Sequence, residues 1–307
     1  MIYTLTLNPA LDYTVFAEGL TVGAVNRAGG FSISYGGKGI NVSAMLKNLN
    51  VSSVALGFIA GFTGNELEKL LLNEGINSDF IKLNSGITRI NVKIREKSET
   101  DINVQGPCAS ADELNLLYKK LNKLEHGDWL VLSGSIPSGM PSDIYARLSE
   151  FAEKRGARVI IDAVGRALTD SLYTKPFLIK PNREELGDIF GEEISGISDA
   201  FFYAEKLKAE GAKNVMITLG GEGSALICEN GERLYCSAAD GAVLNTVGAG
   251  DSAVAGFIAG YSENGCYKNA LKLSAAAGGA TAFSNGIGNA ELVNRLRSSI
   301  SVKEYAQ

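Results

Sequence analysis

The chain has 307 residues, and 29 Lys and Arg against 34 Asp and Glu give a formal net charge of −5. An apolar fraction of 45% supports a sizeable core and argues against a disordered chain, and the mild acidity denies it the basic stripe that nucleic acid or an anionic membrane requires. A single histidine, His126, leaves almost nothing for a Ser-His-Asp triad or a multi-histidine metal site.

The four cysteines, Cys108, Cys228, Cys236 and Cys266, form no Cys-x-x-Cys pair and are expected as free thiols in the core, as suits a reducing compartment. The opening MIYTLTLNPALD lacks a basic n-region, and apolar runs such as 253–261 fall short of the roughly 18 residues of a membrane span. A soluble, cytoplasmic protein is expected, with no nucleic acid and no membrane among its partners.

In chain order, 2–7 reads as a short strand that ends where Asn8-Pro9 turns the chain away. Residues 39–50 carry a helical stripe, 54–59 a buried strand and 63–74 an amphipathic helix. Further apolar runs at 129–133, 159–162, 177–180 and 215–219 are each followed by a helix-like or Gly-rich segment. That alternation predicts a parallel sheet covered on both faces. Two stretches break it: 13–35 and 86–105 look extended, the second with a polar bend at 95–101. They read as strands of a small second sheet, a candidate lid, or as edge strands of the main one. Residues 217–236 suggest antiparallel strands joined by Gly-rich turns. From 248 onward the chain is Gly- and Ala-rich and helical at 251–263, 268–283 and 290–297, with small residues that permit close helix packing.

Glycine gives the chemical signal, because it lets backbone amides approach a ligand. One cluster is Gly36-Gly37-Lys38-Gly39-Ile40-Asn41, and a second is Gly220-Gly221-Glu222-Gly223, either of which could be a plain turn. The third, Asn245-Thr246-Val247-Gly248-Ala249-Gly250-Asp251-Ser252, opens an apolar helix. None matches the P-loop or Gly-x-Gly-x-x-Gly patterns. Amides at a helix N-terminus suit a phosphate or a developing oxyanion. A carboxylate beside them, Asp251, could be a helix cap or the base that takes a proton from an attacking hydroxyl.

The third cluster resembles the C-terminal signature of the PfkB (ribokinase-like) carbohydrate kinases, and the first resembles their N-terminal signature. The resemblance covers essentially the whole chain. Asn8-Pro9-Ala10-Leu11-Asp12, Gly134-Ser135-Ile136-Pro137-Ser138-Gly139 and Lys180-Pro181-Asn182-Arg183-Glu184-Glu185-Leu186 are similar to the branch that holds phosphofructokinases and tagatose-6-phosphate kinases. It implies a three-layer α/β/α fold with a mainly parallel central sheet, and a β-sheet lid over the sugar from about 13–35 and 86–105.

The implied activity is ATP-dependent phosphorylation of a ketohexose phosphate, foremost fructose 1-phosphate to fructose 1,6-bisphosphate. Tagatose 6-phosphate and fructose 6-phosphate are alternative acceptors. The resemblance assigns Asp251 as general base and Gly248, Ala249 and Gly250 as the anion hole. Asp12 would hold sugar hydroxyls, Gly37, Lys38 and Asn41 would line the sugar-phosphate pocket, Arg27 and Arg89 would hold the phosphate, and Ser135 would reach the substrate. Asn182 and Glu185 match the Asn-x-x-Glu motif that organises Mg²⁺ and its waters. Thr218, Gly220 and Gly223 would line the ATP, with Asn285 near the adenine. Relatives' lids also suggest a homodimer.

Two other classes compete. A non-catalytic sugar-phosphate sensor has no need of Asp251 beside an anion hole. A nicotinamide-dependent oxidoreductase would place a Gly-rich turn after the first strand, where Asn8-Pro9-Ala10 stands.

Overall fold

The computed structural model describes residues 1–96 and 99–305. The chain begins with β1 (Ile2–Thr6), β2 (Ala10–Ala17), β3 (Ala28–Gly36), α1 (Lys38–Asn48), β4 (Val54–Ile59), α2 (Gly61–Asn73) and β5 (Ile81–Lys82). It continues through β6 (Arg89–Arg95), β7 (Glu99–Ile102), α3 (Ala111–Leu121), β8 (Trp129–Ser133), α4 (Ile144–Glu153), β9 (Arg158–Asp162) and α5 (Arg166–Thr169). Then come β10 (Leu178–Ile179), α6 (Arg183–Phe190), α7 (Ile197–Ala209), β11 (Asn214–Thr218), β12 (Ser224–Ile227) and β13 (Arg233–Cys236). Three helices, α8 (Ala249–Asn264), α9 (Tyr267–Ala282) and α10 (Ala290–Ser299), precede the edge strand β14 (Val302–Glu304).

The central sheet has ten strands in the order β14-β13-β12-β11-β10-β9-β8-β1-β4-β5. From β5 to β11 every neighbour is parallel, and β12, β13 and β14 add an antiparallel margin. Both faces are buried, which is why these strands read as continuous apolar runs. Leu130, Leu132, Val159 and Ile161 pack with Leu117, Ile144 and Leu186 of α3, α4 and α6. Trp129, Val131 and Ile160 point the other way, toward Val42, Val254, Leu273 and Val293 of α1, α8, α9 and α10. The result is three layers, α/β/α, as expected.

The two irregular stretches form a separate four-stranded sheet, β3-β2-β6-β7, and are not edge strands of the main one. Its second strand begins three residues earlier than the sequence suggested, at Ala10, immediately after the Asn8-Pro9 turn. Of the bend expected at 95–101, residues 97 and 98 lie outside the described residues. The cysteine expectation holds for Cys228 and Cys236, which are buried, but Cys108 and Cys266 are exposed. Both exposed thiols sit in connections between elements, where no apolar layer covers them. No helix among the described residues is long and apolar enough to cross a membrane.

Candidate active site

The sheet grows in opposite directions from β1, toward β4 on one side and β8 on the other, and a crevice opens at such a switch point outside the carboxyl ends of the strands. A cleft of about 790 Å³ lies there. Residues at or just beyond the ends of β1, β8, β9, β10 and β11 line it, together with the N-termini of α1 and α8 and one face of the small sheet.

Asp251 lies in the first turn of α8, 5% exposed, and lines the cleft. Asn41 Nδ2, one turn into α1, donates to its Oδ2 at 2.8 Å. Burial, reinforced by the negative charge of Asp162, pushes the Asp251 carboxyl up to about 6, against the opposing pull of Asn41, Lys38 and Lys180. Gly248 caps the helix at φ +80°, a left-handed conformation, and a Cβ there would come within 2.9 Å of Ile287 and 3.6 Å of Asn41. Gly248 and Gly250 line the cleft. The Ala249 amide donates to Thr246 O at 3.1 Å and Ala249 is not among the lining residues, so of the three residues expected to form an anion hole only Gly248 and Gly250 border the cleft. The close packing of α8 on α9 fixes that turn: a Cβ on Gly256 would fall 2.5 Å from Leu273 O.

A charge cluster forms the cleft floor. Asp162, at the end of β9 and 1% exposed, meets Lys38 Nζ at 3.1 Å and Lys180 Nζ at 3.4 Å through the same Oδ1. Lys38 also lies 3.7 Å from Glu185 Oε1. Burial opposes its charge, yet Asp162, Glu185 and Asp251 hold the Lys38 ammonium above its ordinary range. Burial likewise opposes ionisation of Asp162, while Lys180 and Lys38 keep its carboxyl below the usual range. Sequence reasoning gave no role to Asp162 or Lys180. Lys38, expected in the sugar-phosphate pocket, lines the cleft and stands there between two carboxylates.

Asn182 and Glu185 open α6 as a reciprocal capping box, Asn182 Oδ1 accepting from Glu185 N at 2.8 Å and Glu185 Oε2 from Asn182 N at 2.9 Å. Glu185 Oε1 is left facing Lys38, and Asp162 Oδ2 is buried without a hydrogen-bond partner among the described residues. These are hard oxygen donors, too few for an all-protein cage, and no group of three or more His, Cys, Asp or Glu able to hold a metal occurs among the described residues. They fit Mg²⁺, which retains waters and takes only one or two carboxylates alongside phosphate oxygens.

The small sheet supplies the remaining wall. Asp12 on β2 accepts from Asn91 Nδ2 at 3.0 Å across the β2–β6 register. A Cβ on Gly36 would lie 2.5 Å from Asp12 Oδ1, so that position must be bare for the carboxylate to fit. Half-buried Arg89 donates from Nε to Asn8 O at 3.1 Å and from Nη1 to Val104 O at 3.4 Å. Ser135 Oγ accepts from Asn8 Nδ2 at 3.1 Å.

Of the expected residues, the structure gathers Asp12, Gly37, Lys38, Asn41, Arg89, Ser135, Asn182, Glu185, Thr218, Gly248, Gly250 and Asp251 around this one cleft. Arg27 is not brought in. It is exposed at the far end of the β2–β3 hairpin, next to the Ala17–Ala28 pair, about 17 Å along the strand from Asp12. Gly220 and Gly223 flank a single turn just past Thr218 and are not among the lining residues. Asn285 lies exposed in the α9–α10 turn, which Leu244 N and Asn245 N tie to the preceding loop through Ala282 O.

The chain belongs to the pfkB family of carbohydrate kinases, whose family model matches residues 5–293. It is 43% identical to the 1-phosphofructokinase of Bacillus subtilis (strain 168), over 98% of this chain and 99% of that one. The D-tagatose-1-phosphate kinase of Bacillus licheniformis is 39% identical, again over 98% and 99%. Among solved structures, phosphofructokinase-2 from Escherichia coli in complex with fructose-6-phosphate superposes with a TM-score of 0.90 at 26% identity, covering 97% of this chain and 98% of that one.

Proposed function

We propose that this carbohydrate kinase transfers the γ-phosphoryl group of ATP to the C6 hydroxyl of fructose 1-phosphate, giving fructose 1,6-bisphosphate and ADP. The observation that carries the reading is the buried carboxylate of Asp251 at the N-terminus of α8, with Lys38 and Lys180 on the same cleft floor. The hydroxyl oxygen forms a bond to the γ-phosphorus as the β,γ-bridging bond breaks, and the hydroxyl proton passes to Asp251. A base held near pH 6 is ionised at neutral pH yet more basic than an exposed aspartate. The amides at Gly248 and Gly250 face the charge that builds on the transferred group.

Lys38 and Lys180 offset the repulsion between two anionic substrates. Asn182, Glu185 and the free oxygen of Asp162 would hold Mg²⁺ through water. When bound, the ion neutralises phosphate charge. Thr218 and the turn at Gly220–Gly223 would border the nucleotide. Arg89 would take the acceptor's own phosphate, its guanidinium anchored through Nε and still offering nitrogens for a paired contact. Asp12 and Ser135 would read the hydroxyls. The small sheet is then a lid that excludes water from the transfer.

A second acceptor has a specific claim. The two relatives named above act by name on 1-phosphates of fructose and of tagatose, sugars that differ only at C4, so tagatose 1-phosphate ranks ahead of tagatose 6-phosphate and fructose 6-phosphate. ADP release with Mg-ATP, compared by kcat/KM over these four esters and free fructose, tests the reading. Preference for fructose 1-phosphate is expected, and turnover of neutral fructose alone would overturn it. The same reading includes a homodimer formed through the exposed apolar face of the small sheet, where Phe31 is 63% exposed, and sedimentation velocity tests it.

A further inference from the structure

Lys93, on β6, is buried to 7% exposure and takes no part in the chemistry above. Its Nζ lies 3.4 Å from Asp12 Oδ2 and 3.9 Å from Asp101 Oδ2. Those two aspartates come from β2 and β7, the strands flanking β6, and both line the cleft. Asp12 is thus gripped on one oxygen by Asn91 and on the other by Lys93.

We propose that Lys93 is a positioning residue for acceptor recognition, joining Asp12 and Asp101 through one ammonium into a single hydroxyl-reading surface. The proposal rests on the reading of the cleft as a sugar-phosphate site. A buried ammonium is tolerated only where nearby carboxylates compensate it, and the same contacts fix the carboxylates in turn. Without the ammonium, the two carboxylates repel one another, and Asp12 keeps only its Asn91 contact. The effect extends along the chain. Asn103, Val104 and Gln105, which follow β7, also line the cleft, and Val104 O accepts from Arg89. Lys93 therefore couples the strand that reads the sugar to the segment that steadies the phosphate-binding arginine.

The test is steady-state kinetics of the full chain with Mg-ATP and fructose 1-phosphate for Lys93→Met, Lys93→Arg and Asp101→Asn. Lys93→Met should raise the sugar KM by about tenfold or more while the ATP KM stays within about twofold. Lys93→Arg keeps the cation and should recover part of the loss. An unchanged sugar KM in a folded Lys93→Met variant overturns the proposal. So does a parallel rise in both KM values, which marks a structural residue. Should Lys93→Met fail to fold, Asp101→Asn decides the matter, because Asp101 is partly exposed and its loss should still raise the sugar KM alone. A wild-type protein that turns over no ketohexose phosphate would defeat the underlying reading instead.

Discussion

The two walls of the cleft are built on different principles. The central-sheet wall relies on backbone: strand ends, two helix N-termini and a left-handed glycine at 248, all anchored in a three-layer core. Three of its charged side chains are almost fully buried, with Asp162 at 1%, Lys180 at 3% and Asp251 at 5% exposure. The small-sheet wall relies on side chains placed by strand register, Asp12 opposite Asn91 and Lys93 opposite Asp101, on a sheet whose other face leaves Phe31 and Ile33 in contact with solvent. One wall is fixed by packing and suits chemistry, which tolerates little misplacement. The other is held by pairs of charges and hydrogen bonds, and suits recognition.

That contrast predicts separable kinetic effects. The largest comes from the rigid wall: Asp251→Asn should lower kcat by about 10²–10⁴ with little change in sugar KM. It should not unfold the protein. A carboxyl raised in the folded state weakens stability as pH climbs from its unfolded value through about 6, so the asparagine variant should melt no lower than wild type at pH 7.5. A wild-type kcat would remove Asp251 from the chemistry. In the second wall, Arg89→Ala should raise the sugar-phosphate KM by about 10- to 100-fold and leave kcat nearly intact. A fall in kcat with unchanged KM would mean that the two walls do not divide the work in this way.

A subtler effect concerns pH. The base must be ionised, so kcat should fall as pH drops through about 6. Asp162 is the negative neighbour that reinforces the rise, and its removal also frees Lys180 and leaves Lys38 shared only between Asp251 and Glu185. Both changes favour the ionised base. Asp162→Asn should therefore move the acid limb of the kcat–pH profile downward, alongside any loss of rate. An acid limb that stays put or moves upward would show that Asp162 does not act on Asp251 through charge.

Legibility in the sequence follows the same division. The parallel strands were plain because burial on both faces leaves continuous apolar runs, and Gly248–Asp251 was plain because a glycine-capped helix N-terminus carries a local pattern. Asp162 and Lys180 escaped because each is a lone charge at the end of an apolar run. They become neighbours only through the adjacency of β9 and β10. A signal did exist, since charged residues ending consecutive parallel strands gather in the crevice of an open α/β sheet. Lys93 was harder still. In sequence it belongs to an alternating strand like any exposed lysine, and only the β2–β6–β7 register sets it between two aspartates. Arg27 shows the reverse case: a cation near a motif in sequence stands at the far end of a hairpin, outside the cleft of its own chain.

The smallest expected effect lies on the outer face of the small sheet. Phe31 stacks on Tyr13 with ring centroids 5.4 Å apart but remains 63% exposed, and Ile33 beside it is 44% exposed. A side chain that exposed gives little to the stability of its own chain, so Phe31→Ser should change unfolding free energy by about 0.5 kcal/mol at most. If the face joins two copies of the chain, the same substitution should move the sedimentation coefficient from dimer toward monomer, because an interface depends on the apolar area that it covers. The strands that carry Asp12 and Lys93 also carry this face, and a looser sheet should raise the sugar KM by about two- to threefold without touching kcat. A monomeric wild type would break the link between the face and a second copy. A dimer insensitive to Phe31→Ser would move the contact elsewhere.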